Sequence, residues 1–299
     1  MLLGGLSAER EISVQSGKEV LRALRGLGYR ATAVSVGRDL PARLARLRPD
    51  VAFNALHGRY GEDGAVQGLL EVMAIPYTGP GVLMSALAMD KTMAKTVWHS
   101  RRLPTPRWIT VDPKARKLPS LPAALPLVVK PNSEGSSVGV SIVRRRTALP
   151  AAVRLAGRSD PRVVIEEYIP GREVTVGILD GRALGALEVV AKGEFHTYEV
   201  KYTAGREEFF MPARLSPATT RRVLALATEA HEALGGGAYS RVDMRVNGSR
   251  PYLIELNSLP GLTALSYLPR IAAYVGMDFP SLCEAILDRA TLGIRESRR

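Results

Sequence analysis

Short apolar runs alternating with stretches of helical spacing constrain this chain more than any other feature, because a strand–helix–strand rhythm folds as a sheet flanked by helices. Residues 2–3 read as the tail of a strand, followed by the Gly4-Gly5 turn and a helix whose apolar face includes Val20, Leu21, Leu24 and Leu27. A strand over 31–36, a helix over 40–47 and a strand over 51–55 complete an open βαβ unit. Its first strand has fewer apolar residues before the glycines than the roughly five or six usual in a strand, so residues preceding Met1 are expected.

The pattern continues with a helix over 65–73, the turn Ile75-Pro76-Tyr77-Thr78-Gly79 and a helix over 82–98. The stretch 114–126, rich in Pro and Lys, reads as a surface loop. Strands over 127–130 and 139–143 flank the polar loop 131–138 as a hairpin. Further strands fit 163–168, 173–179 and 183–190, and helical spacing covers 216–234. Gly235-Gly236-Gly237 reads as a flexible connector to strands over 240–246 and 252–256, which bracket an Asn247-Gly248 turn. That dipeptide is a strong hairpin signal. A length of 299 residues, 46% hydrophobic and 23% charged, fits two or three globular domains.

The single cysteine, Cys283, excludes an intramolecular disulfide and a cysteine metal cluster; it reads as a small buried residue of the final helix. No apolar run approaches the ~18–20 residues of a membrane span, and the start Met1-Leu2-Leu3 lacks a charged n-region. A cytoplasmic location is therefore expected, with no membrane partner. The 41 Lys+Arg against 29 Asp+Glu leave a formal charge of +12. A nucleic-acid partner is not expected from this excess, because Arg144-Arg145-Arg146 and the tail Arg295 to Arg299 lack interleaved aromatics and any binding motif.

Two segments concentrate chemistry. Lys130 stands at a strand end before the loop Pro131-Asn132-Ser133-Glu134-Gly135-Ser136-Ser137-Val138-Gly139, where small residues let backbone N–H groups approach phosphate oxygens. An ordinary solvated turn accounts for this segment equally well. In the C-terminal hairpin the period of two puts Arg241 and Asp243 on one face of a strand and Glu255 and Asn257 on one face of its partner. Asp243, Glu255 and Asn257 could converge on a hard cation such as Mg²⁺, although a cross-strand salt bridge is the commoner cause of such a pattern. The loops Ser7-Ala8-Glu9-Arg10-Glu11 and Asn54 to Gly64, which contains His57, follow strands on one sheet edge and point to a pocket.

Taken in order, these segments resemble the D-alanine:D-alanine ligases of the ATP-grasp superfamily. The resemblance runs from Leu2 to about Ala290. It is carried by Leu3 to Glu11, Ala55-Leu56-His57-Gly58 with Gly61-Glu62-Asp63-Gly64, and Ala88-Met89-Asp90-Lys91. Further on it is carried by Lys130 to Gly139, Tyr198-Glu199-Val200-Lys201-Tyr202, Arg241-Val242-Asp243 and Glu255 to Thr263. The resemblance implies an α/β chain with the ATP-grasp fold: an N-terminal open α/β domain over 1–79, and two α+β subdomains over 80–166 and 167–299 that clasp ATP. It implies an ATP- and Mg²⁺-dependent ligase that phosphorylates one D-alanine and joins it to a second for peptidoglycan precursors. A ligase of the same mechanism taking D-lactate or D-serine is the alternative.

Residue by residue, the resemblance implies that Lys91, Lys130 and Ser137 contact the nucleotide phosphates. Glu166, Glu167 and Ile169 hold adenine, and Glu173 holds ribose. Asp243, Glu255 and Asn257 hold two Mg²⁺ ions, for which Mn²⁺ can substitute. Glu9 takes the first substrate's ammonium, with His57 nearby and in a hydrogen-bonded link with Ser136 and Tyr202. Arg241 and the Gly261 N–H serve the oxyanion, while Ser266 and Tyr267 take the second substrate's carboxylate. Residues 191–206, with Lys201, form a lid. A homodimer is expected by the same resemblance. The chain departs from the family pattern at Phe195-His196-Thr197-Tyr198 in the lid, at Pro80, and at Tyr267, where a leucine or methionine is common.

Overall fold

The computed structural model describes residues 1–115, 117–135, 138–191 and 207–293. The first sheet is small. Strands β1 (Leu2–Gly4) and β2 (Val34–Val36) are parallel, and isolated bridges join Leu2 to Asn54, Ala52 to Tyr77 and Tyr77 to Thr291. The expected strand over 51–55 thus exists as bridges alone, and that over 31–36 is shorter. Helices α1 (Arg10–Gly26), α2 (Leu40–Leu47) and α3 (Ala65–Val72) flank this sheet. α1 lies so close to β1 that a Cβ on Gly17 would sit 2.6 Å from Leu3 Cβ. Its buried face stops at Leu24, leaving Leu27 exposed.

The helix expected over 82–98 is two, α4 (Val82–Met89) and α5 (Lys91–Ser100). Asp90 is extended between them and caps the second, accepting from Met93 N at 3.0 Å. Hydrophobic periodicity runs through the break and cannot reveal it. Two elements without a sequence expectation follow. Strand β3 (Trp108–Val111) joins β4 (Leu127–Pro131), β5 (Ser141–Val143) and β6 (Val163–Glu167) in an antiparallel sheet of order β3-β6-β4-β5, covered by α6 (Leu149–Ala156).

The third sheet, of order β11-β10-β7-β8-β9, contains β7 (Arg172–Leu179), β8 (Arg182–Ala191), β9 (Glu207–Phe210), β10 (Tyr239–Asn247) and β11 (Arg250–Asn257). Helix α7 (Pro217–Ala233) packs on it, and α8 (Tyr267–Tyr274) and α9 (Phe279–Leu287) follow. The triple glycine is a helix stop rather than a loose connector. Gly235 N donates to Glu232 O and Gly236 N to His231 O, with both glycines in the left-handed region.

Packing crosses the divisions expected at 80 and 167. Met84, Ala88, Ala94 and Trp98 of α4 and α5 share a core with β7, α7 and β11. Val20, Leu24 and Phe53 share another with Leu262, Leu268, Leu282 and Ile286. The sheet β3–β6 keeps its own core with α6. Each apolar face is buried by whichever neighbour the fold brings to it, and chain order does not decide which that is.

Candidate active site

The two larger sheets face each other across a cleft of about 530 Å³. Lys91 opens α5 and Lys130 is the penultimate residue of β4, so both ammonium groups reach the cleft from near element termini. Lys91 Nζ donates to Glu134 O at 2.6 Å and lies 3.5 Å from Glu255 Oε2. Lys130 Nζ is 2.6 Å from Glu166 Oε1, and Glu166 Oε2 is 2.8 Å from Lys95 Nζ. Burial works against the Glu166 charge, but the two lysines hold its carboxyl down to about 2. The segment from Glu167 through Tyr168 and Ile169 to Glu173 lines the cleft. Arg245 holds this linker, donating to Ile169 O at 3.2 Å and Gly171 O at 2.7 Å, with Glu173 at 3.4 Å.

The C-terminal hairpin pairs Arg241 with Asn257 and Asp243 with Glu255, so the pattern read from the period of two becomes one cross-strand cluster. Asp243 is its centre. It accepts from Arg241 Nε and Nη2 at 2.9 and 2.8 Å, from Thr175 Oγ1 at 2.6 Å and from Asn257 Nδ2 at 3.0 Å. Asp243 and Glu255 also line the cleft. Among the described residues no group of three His, Cys, Asp or Glu could hold a metal. The available donors are two carboxylates and one amide oxygen, all hard. That set fits Mg²⁺, which keeps water and takes phosphate oxygens to complete its shell.

A second, smaller arrangement lies where the first sheet meets the cleft. Gly58 turns so tightly that a Cβ there would lie 2.8 Å from Glu9 Oε2, and one on Gly135 would lie 3.2 Å from both Glu9 oxygens. Glu9 is therefore enclosed by the His57-Gly58 turn and by Gly135. His57 is buried, with Nδ1 3.1 Å from Leu259 O and Nε2 3.2 Å from Ser16 Oγ. A carbonyl can only accept, so Nδ1 bears the proton and Nε2 accepts from Ser16. Burial lowers the pKa and keeps this ring neutral. Ser266 Oγ approaches Thr263 N at 3.1 Å and Thr263 Oγ1 at 2.9 Å, and a Cβ on Gly261 would meet it at 2.7 Å. The Tyr267 ring stands 5.1 Å from the Arg241 guanidinium and edge-on to Phe209.

With this geometry in place, two family models match the chain: the D-ala D-ala ligase N-terminus over residues 39–80 and the D-ala D-ala ligase C-terminus over residues 97–288. The chain belongs to the D-alanine–D-alanine ligase family. The D-alanine–D-alanine ligase of Geobacter sulfurreducens is 53% identical, the alignment covering 99% of this chain and 94% of that protein. That of Citrifermentans bemidjiense is 52% identical over 98% of this chain and 96% of its own. The crystal structure of the Bacillus anthracis ligase complexed with ATP superposes with a TM-score of 0.85 at 33% identity, covering 96% of this chain and 95% of that one.

Among D-alanine–D-alanine ligase positions expected from sequence, Lys91, Lys130, Glu166, Glu167, Ile169, Glu173, Asp243 and Glu255 all line one cleft. Arg241 and Asn257 join them through Asp243, and Glu9, His57, Gly261, Ser266 and Tyr267 lie at the arrangement beside it. Ser136, Ser137, Lys201 and Tyr202, with the lid residues 192–206, lie outside the described residues. Four further residues carried no expectation of their own: Lys95, Thr175, Arg245 and Glu62. Glu62 is half-buried and accepts from Gly58 N at 2.6 Å and Leu259 N at 3.4 Å, and desolvation of its carboxyl with the nearby Glu9 pushes it up to about 8. Its place in Gly61-Glu62-Asp63-Gly64 was the one available signal.

Proposed function

We propose that this ligase phosphorylates the carboxylate of one D-alanine with ATP, and that the amine of a second D-alanine attacks the resulting acyl phosphate to give D-alanyl-D-alanine for peptidoglycan precursors. The observation that carries this reading is the convergence, in one cleft, of Lys91 and Lys130 with the cross-strand partners Asp243 and Glu255, Arg241 and Asn257 being joined to them through Asp243. Phosphoryl transfer between anionic groups gathers negative charge, and fixed cations lower the cost of bringing those oxygens together. Mg²⁺ held by Asp243, Glu255 and Asn257, two ions with Mn²⁺ as a substitute, would supply further charge neutralisation at the phosphates.

Lys91, Lys130 and Ser137 hold the phosphates, Glu167 and Ile169 with Glu166 flank the adenine, and Glu173 takes the ribose. Glu9 binds the donor ammonium beside a neutral His57, which adds no competing positive charge. Arg241 and the Gly261 N–H stabilise the tetrahedral oxyanion, whose collapse expels phosphate. Ser266 and Tyr267 receive the acceptor carboxylate. Tyr202, linked with Ser136 to Glu9, and Lys201 belong to a lid over 191–206 that keeps water from the acyl phosphate. The enzyme works in the cytoplasm as a homodimer of three-unit chains, divided near 80 and 167. Release of phosphate should require ATP, Mg²⁺ and D-alanine together. Faster turnover with D-lactate than with D-alanine at neutral pH, or release independent of D-alanine, would overturn the assignment.

A further inference from the structure

Lys95 follows Lys91 by one turn of α5 and is wholly buried. A buried ammonium is costly unless it is paired and hydrogen-bonded, and Lys95 is both. Its Nζ lies 2.8 Å from Glu166 Oε2 and donates to Thr105 Oγ1 at 2.8 Å; Thr105 in turn donates to Leu253 O at 2.8 Å. Glu166 gives its other oxygen to Lys130 at 2.6 Å. A continuous polar chain therefore runs from Lys130 on β4, through β6 and α5, to the backbone of β11 two residues before Glu255.

The charges matter as much as the path. Glu166 paired with Lys130 alone would form a neutral couple, and the lysine would be held by its carboxylate with little charge left to attract a phosphate. With Lys95 on the second oxygen, two cations share one anion, and net positive charge remains at the cleft end. Burial pushes the Lys95 ammonium down to about 8, which still leaves it mostly protonated at neutral pH.

We propose that Lys95 is a positioning residue for the nucleotide: through Glu166 it fixes the Lys130 ammonium while leaving its charge available, and through Thr105 it ties that lysine to the strand bearing Glu255. The inference rests on the nucleotide reading of the cleft given above. Its test compares ATP, which offers terminal phosphates to Lys130, with AMP, which lacks them, by calorimetric titration in the presence of Mg²⁺. Lys95→Met should weaken ATP binding about tenfold and AMP binding less than about twofold, and Lys95→Arg should recover ATP affinity to within about threefold of wild type.

Equal weakening of the two nucleotides, or unchanged ATP affinity in a folded Lys95→Met protein, would overturn the inference. Should that variant fail to fold, Thr105→Val carries the same test without altering charge. Its ATP affinity should fall about threefold with AMP unaffected, and equal shifts would refute the positioning role. Wild-type protein binding neither nucleotide would overturn the reading of the cleft, and this inference with it. Firm ATP binding by wild type beside an unaltered Lys95→Met overturns the inference alone.

Discussion

Replacing Arg241 by lysine keeps the charge and removes the fork. Arg241 gives its Nε and one Nη2 proton to Asp243 at 2.9 and 2.8 Å, so the remaining N–H groups are what it can offer a substrate oxygen. A single ammonium cannot hold both carboxylate oxygens in parallel and reach a third. The pair is sheltered, each side chain being 13% exposed. Loss of one charge-assisted bond there should cost about 1.5–3 kcal/mol of stability. If the spare N–H groups act on the oxyanion, kcat should fall by a further and separable factor of about 10²–10³. KM for ATP should move by less than about threefold, because Lys91 and Lys130 are untouched. Steady-state ADP release and thermal melts measure the two effects in the same preparation. A variant that melts earlier as expected but keeps kcat within about threefold of wild type would refute the assignment of Arg241 to the oxyanion.

Other residues make different demands. Tyr239 is fully buried and its hydroxyl has no hydrogen-bond partner among the described residues; Tyr239→Phe should therefore raise stability by about 1 kcal/mol in urea unfolding, and a loss would show that the hydroxyl is satisfied after all. Glu62, with its carboxyl near 8 when folded against an ordinary 4.5, keeps its proton in the native state where the unfolded chain has lost it. Stability should consequently decline as pH rises between those values, and less steeply in Glu62→Gln; parallel melting profiles of the two proteins would contradict this. Gly171 has φ of +116° and no room for a side chain, since a Cβ would lie 2.1 Å from Val246 O. Gly171→Ala should destabilise the protein by about 1–3 kcal/mol and weaken ATP binding, and an unperturbed variant would remove the linker from the nucleotide site.

What could be read in advance follows from the range of the forces involved. The pairing of the C-terminal hairpin was legible because a turn dipeptide fixes register and the period of two then assigns faces, both within some twenty residues. Helix α2 was equally plain, with Leu40, Leu44 and Leu47 at helical spacing and Pro41 in its first turn. Strand β3 was not, because Trp108 to Val111 is short, follows Pro104 and Pro106, and lies on a sheet edge with mostly half-buried residues. Lys95 could not be placed either. Nothing local distinguishes a helical lysine that will be buried from one that will be solvated, and here the difference is made by Glu166, on a strand more than sixty residues away. The distribution of α4, α5 and α9 among the cores was hidden for the same reason.

The bridge between Tyr77 and Thr291 also orders events in time. Gly293 N closes the same corner by donating to Glu71 Oε1, across 222 residues of chain. At roughly 5–20 residues per second, a ribosome needs roughly 10–45 s to synthesise that interval. Throughout it, the first sheet has an unpaired edge and Val20, Leu24 and Phe53 lack the C-terminal helices that cover them. The first sheet, made early, is thus completed only once residues 291–293 are available, so nascent chains should be most exposed to chaperones and proteases in this region, and the arrival of that segment should be the moment that protection begins.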